Sequence, residues 1–129
     1  MPRVKRSVVD SDVWIRILRR DTDAIEFVKE LAQRHRVICS VITIAELYAG
    51  VRPGEEERMY WMLRNATHAQ VTTEIAQRAG FFRRRYLATH GVELTDCLIA
   101  ATAEAYHADL VTYNTRHFPM PEIRVVRPK

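Results

Sequence analysis

The period of apolar and polar positions changes several times along the chain, and each change marks an element. Residues 7–10 form a short apolar run that reads as a buried strand. Val13, Trp14, Ile17 and Leu18 follow at helical spacing, so a strand passes into a helix at Asp10 to Asp12. Asp21 opens a second helix carrying Ile25, Phe27, Val28 and Leu31, which ends near His35. Residues 36–40 read as the next strand, and Thr43 starts a helix through Ile44, Leu47 and Tyr48 that Gly50 and Pro53 halt. Residues 55–65 and 73–89 predict two more helices, and residues 95–107 an Ala-rich one. A strand at 109–112 then meets a turn-like stretch at 114–117, and a last strand is expected at 123–126. Strands alternating with helices predict an α/β fold with a central, mainly parallel sheet flanked by helices. Without repeats, linkers or low-complexity segments, residues 1–129 are expected to form one domain.

Composition narrows the class. With 47% hydrophobic and 28% charged residues, the chain is that of a soluble globular protein rather than a disordered one. The formal charge of +4, from 20 Lys and Arg against 16 Asp and Glu, favours a polyanionic partner. Basic residues gather at positions 3–6, at Arg19 and Arg20, at 83–85, and at Arg124, Arg127 and Lys129. Any one of these groups also reads as a solvated face, and three consecutive helical arginines at 83–85 fan out around the axis. Cys39 and Cys97 sit in apolar stretches without a CxxC motif, which predicts reduced core thiols. Neither a signal-length apolar run at the N-terminus nor a membrane-spanning stretch occurs, so a cytoplasmic protein without membrane association is expected.

Parallel α/β sheets gather ligands beyond the C-terminal ends of their strands. Asp10 ends the first strand, Glu46 lies on the helix after the second, Asp96 starts the Ala-rich helix, and Asn114 follows the strand at 109–112. Clustered carboxylates repel unless a cation lies between them, and oxygen donors of this kind suit Mg²⁺ or Mn²⁺. Each residue also has a local explanation. Asp10 or Asp12 can cap a helix, Thr43 and Glu46 fit a capping box, Thr95 can cap the helix that Asp96 begins, and Asn114 can build a turn.

Taken together, VVDSDVWI at the start, TIAELYAGV around Glu46, ELTDCLIAATA around Asp96 and LVTYNTRHF at 110–118 resemble, in order and spacing, the signatures of PIN-domain toxins of the VapC type. The resemblance covers nearly the whole chain. It implies a PIN-like fold and a ribonuclease acting as the toxin of a toxin–antitoxin pair. It also implies that Asp10, Glu46 and Asp96 are ligands of Mg²⁺ or Mn²⁺, with the position at Asn114 completing the catalytic site. Many relatives carry a fourth acid there, and this chain departs from that pattern. In this scheme Asp10 and Asp96 share one ion and Glu46 a second. Ser11 and Thr112 are expected to support the ligands by hydrogen bonds, and Arg116 and His117 to contact RNA. Partners implied by the family are an RNA substrate, a VapB-type antitoxin and a second copy of the chain in a homodimer.

Two rival readings arise. Asp10-Ser-Asp12 after a strand is also the Asp-x-Asp of haloacid-dehalogenase-like phosphatases, in which Asp10 would be a nucleophile. That family needs a downstream Lys followed by a late GDxxxD-like acidic pair, and no such motif follows Glu46. The other rival is an RNA-binding module with a weakened site, motivated by Asn114 and the basic balance.

Overall fold

The computed structural model describes residues 4–129, so Arg3 of the N-terminal basic group lies outside the described residues. The elements run β1 (Lys5–Val9), α1 (Ser11–Leu18), α2 (Thr22–Arg34), β2 (His35–Ser40), α3 (Val41–Ala49), α4 (Glu56–Arg64), β3 (Thr67–Ala69), α5 (Thr73–His90), α6 (Leu94–Ala105), β4 (Asp109–Val111), a 3₁₀ turn (Thr115–His117) and β5 (Val125–Val126). Every strand pairing is parallel, in the order β3-β2-β1-β4-β5. The expected alternating fold is therefore present. β3 is an addition to it, and the last strand is shorter than expected.

Helices cover both faces of the sheet, which is why its strands read as apolar runs rather than alternating ones. Val8, Ile38 and Leu110 pack with Ile75, Phe82 and Ile99 from α5 and α6. The next residue on each strand, Val9, Cys39 and Val111, faces Trp14, Leu18, Leu47 and Met59 from α1, α3 and α4. Successive strand side chains point to opposite faces, so a two-residue step serves two cores. Cys39 and Cys97 are free and fully buried, as their apolar settings predict.

Caps place the helices. Asp21 accepts from the amides of Asp23 and Ala24, and Thr72 from that of Ile75. Ser40 caps α3 by accepting from Ile42 N at 3.1 Å, which corrects the expected start at Thr43. No capping box forms, because Thr43 is already helical and its buried hydroxyl has no hydrogen-bond partner. Nor does Thr95 cap α6, which begins at Leu94 with Glu93 in the cap position and no side-chain bond. An unpaired buried hydroxyl costs about 1–3 kcal/mol, and valine has nearly the same shape. Thr43→Val is expected to stabilise the protein by about 1 kcal/mol, measured as a shift of the urea midpoint at unchanged slope.

Candidate metal centre

The sheet reverses its winding between β1, followed outward by β2 and β3, and β4, followed by β5. A crevice opens where neighbouring crossovers depart in opposite directions. Asp10 stands at this edge, one residue beyond β1, with its backbone N–H donating to Val111 O of β4 at 2.9 Å. It is also the N-cap of α1, its Oδ1 accepting from Ser11 N at 2.8 Å. β4 thus holds its backbone and α1 its carboxylate.

Thr112, buried one residue beyond β4, holds Asp10 from the other side. Its hydroxyl lies 3.0 Å from Asp10 Oδ2 and 3.3 and 3.4 Å from the two oxygens of Asp12. One hydroxyl has one proton, and the shortest of the three contacts assigns it to Asp10. The same oxygen accepts from Asn114 N at 3.1 Å, while Asp12 Oδ2 accepts from Tyr113 N at 3.0 Å. Asp12, read from sequence as a helix cap, therefore clamps α1 to the chain after β4. It is the acid that local reasoning missed. The only trace in the sequence is the Asp10-Ser-Asp12 pair itself.

Glu46 arrives from α3 and Asp96 from the first turn of α6. The charge of Asp96 acts on Asp10 and on Glu46, and that of Asp12 acts on all three. Burial, and then the charge of Asp12, push Asp10 up to about 7. Burial also raises Asp12, Glu46 and Asp96. A bond from the Ser11 side chain counters this at Glu46, and His117, with Nδ1 3.4 Å from Asp96 Oδ2, counters it at Asp96. Neither Lys nor Arg forms a salt bridge to these acids among the described residues.

A group of hard oxygen donors carrying surplus negative charge fits a divalent cation such as Mg²⁺ or Mn²⁺. Among the described residues no group of three or more His, Cys, Asp or Glu side chains lies close enough together to hold a metal ion as the side chains stand.

Beside the acids, Tyr113, Asn114, Thr115, Arg116, His117 and Arg127 line a cleft of about 390 Å³. Asn114 engages the cluster through its backbone amide, while its side chain is exposed. Arg116 is exposed on the rim. The guanidinium carbons of Arg16 and Arg127 lie 3.9 and 5.4 Å from the centre of the Tyr113 ring, within cation–π range. This cationic platform escaped the sequence reading, since its parts come from α1, the end of β4 and the C-terminal segment.

Residues 7–122 match the PIN domain family. Ribonuclease VapC10 of Mycobacterium tuberculosis is 41% identical over 117 residues, covering 89% of this chain and 87% of that protein. Ribonuclease VapC19 of the same organism is 36% identical over 115 residues, covering 88% and 92%. Among solved structures, a toxin–antitoxin complex from Klebsiella pneumoniae superposes with a TM-score of 0.80 at 25% identity, over 95% of this chain and 98% of that one. VapBC2 from Rickettsia felis, bound to a DNA fragment from its promoter, also gives 0.80 at 21% identity and the same coverage, a likeness of fold. The order of strands and these similarities agree: the chain belongs to the PIN-domain family, within its VapC group.

Proposed function

We propose that the protein is a metal-dependent ribonuclease, the toxin of a type II toxin–antitoxin pair, which hydrolyses RNA phosphodiester bonds at the acid cluster. The observation that supports this reading is the mutual repulsion of Asp10, Asp12, Glu46 and Asp96, with no Lys or Arg salt bridge to them among the described residues, in a VapC-group fold. Asp10, Glu46 and Asp96 are the ligands of Mg²⁺ or Mn²⁺, and Asp12 adds negative charge from the adjoining turn of α1. The ion supplies positive charge against the phosphate oxygens and makes water at the site more acidic. Ser11 steadies Glu46, and Thr112 fixes the rotation of Asp10. Asn114 and His117 stand at the rim with Arg116, where the cleft receives the strand. The platform of Arg16, Tyr113 and Arg127 offers an aromatic face and two planar cations to flanking nucleotides.

In the reaction, water adds to phosphorus and the bond to the 3′ oxygen breaks, that oxygen leaving with a proton. Products carry 5′-phosphate and 3′-hydroxyl ends, unlike those of a ribonuclease that attacks through the RNA 2′-hydroxyl. A VapB-type antitoxin partner is supported by the toxin–antitoxin complex among the structural relatives, and a homodimer is the assembly expected of the group. Against the phosphatase rival, no lysine forms a salt bridge to Asp10 among the described residues.

The deciding experiment incubates total cellular RNA with purified protein in Mg²⁺ or Mn²⁺, alongside EDTA and Asp96→Asn controls, and maps the ends of every fragment. Discrete 5′-phosphate fragments that vanish in both controls are expected. RNA binding that survives chelation without any cleavage, from folded protein free of antitoxin, would establish the binding module instead. Thr112→Val is expected to lower cleavage about 10–100-fold by releasing Asp10 and orphaning Asn114 N–H, whereas Thr112→Ser retains most of the rate, as single-turnover assays can measure.

A further inference from the structure

At the opposite end of the sheet from the acids lies a groove of about 630 Å³ that the proposed reaction does not use. β1 runs from Lys5 at this groove to Val9 beside Asp10, which separates the two ends by roughly 17 Å at about 3.3 Å per residue. Lys5, Arg6, Arg34 and Arg124 line the groove, with one acid, Asp109, among them. Arg124 reaches Asp109 at 3.7 Å but is 78% exposed. Lys5, Arg6 and Arg34 have no acidic partner among the described residues. Arg6 makes one bond, to the backbone oxygen of Tyr106. Phe27 and Leu31 supply an apolar wall between these cations. Like charges gathered in a concave surface repel one another, and a polyanion bound there offsets that cost by releasing its counterions.

We infer that this groove is a second nucleic-acid contact, which holds the sugar–phosphate backbone of an RNA whose scissile bond sits at the distant acid cluster. The identification of the anion as RNA rests on the ribonuclease reading, whereas the charge argument stands without it. A substrate must be long or folded enough to reach around the domain to use both ends. The groove therefore favours structured RNA over short single strands.

The test measures binding of a labelled structured RNA of about 40 nucleotides to the full chain in EDTA, by fluorescence anisotropy across a salt series. Two triple variants are compared with the natural protein. One removes the groove cations (Lys5→Gln, Arg34→Gln, Arg124→Gln), and the other removes equal charge elsewhere (Arg64→Gln, Arg84→Gln, Arg85→Gln). All six side chains are exposed, so both variants should fold, which thermal melting checks. The groove variant is expected to weaken Kd at least about tenfold at low salt and to flatten the log–log salt slope by about two to three, while the control changes little. An unchanged slope in the groove variant, or equal weakening in both variants, would overturn the proposal. Duplex DNA of similar length is expected to compete poorly, and equal competition would overturn the assignment to RNA. Cleavage is scored separately in Mg²⁺ or Mn²⁺. A protein that cuts RNA while its groove variant binds normally refutes the groove alone, whereas one that binds through the groove yet cuts nothing refutes the nuclease.

Discussion

Asp10→Asn is expected to abolish RNA cleavage and, in the same protein, to raise thermal stability. Both effects come from one carboxylate. At 6% exposure Asp10 sits against the charges of Asp12 and Asp96, and its folded pKa is about 7 against 3.8 for the unfolded chain. With the folded pKa the higher, the group's favourable contribution is fully present below about 3.8 and is lost as pH rises through about 7. Above that, holding Asp10 ionised in the metal-free fold costs roughly 2–4 kcal/mol. An amide of the same shape does not carry that cost. In EDTA the melting temperature of Asp10→Asn should therefore exceed that of the natural protein by of order 10 °C at pH 8. The gap should narrow towards pH 5. Added Mn²⁺ should raise the melting temperature of the natural protein and leave the variant nearly unmoved. Cleavage should fall about 10²–10³-fold or more, since in the proposed function Asp10 holds an ion that would supply several kcal/mol of transition-state stabilisation. A variant that melts lower at pH 8 would show that the buried charge is already compensated.

Phe82→Ala carries the largest expected loss of stability. Phe82 is fully buried on α5, with its ring centroid 6.2 Å from that of Phe81 and 6.5 Å from that of Tyr86. It lies in the core shared with Ile99 and Ala100 of α6, the helix whose first turn carries Asp96. Truncation removes the ring's burial and leaves a cavity, a change that costs about 3–5 kcal/mol. Against a total of about 5–15 kcal/mol, that brings the domain close to unfolding at growth temperature. Urea denaturation measures the loss. A cost below about 1 kcal/mol would mean that α5 and α6 collapse into the space.

The parts of this fold legible from sequence are those with a local cause. The run ending at Asp10, the cap at Asp21 and the apolar spacing of α1 all follow from neighbours in the chain. β3 escaped notice because three residues, with only Ala69 buried, give no usable period. The capping box at Thr43 and Glu46 was a correct local pattern displaced by Ser40, which lies at the end of β2 and starts the helix earlier. Asp12 shows the same limit at the site. Its spacing says helix cap, but its partner is the amide of Tyr113, 101 positions away. Asp10, Glu46 and Asp96 were found through the resemblance of whole blocks, because each alone has an adequate local explanation. No spacing could have announced that Arg16 and Arg127 share one tyrosine ring.

The central strand β1 is made well before β4, yet the two pair, so that Ser7 lies beside Asp109. Asp10 likewise waits for Thr112 to orient it. At about 5–20 residues per second, a ribosome needs roughly 5–20 s to travel from the first of these residues to the second. Until then Asp10 lacks the hydroxyl that orients it. The proposed site thus stays incomplete until Thr112 has been made, long after its first acid has left the ribosome's active centre.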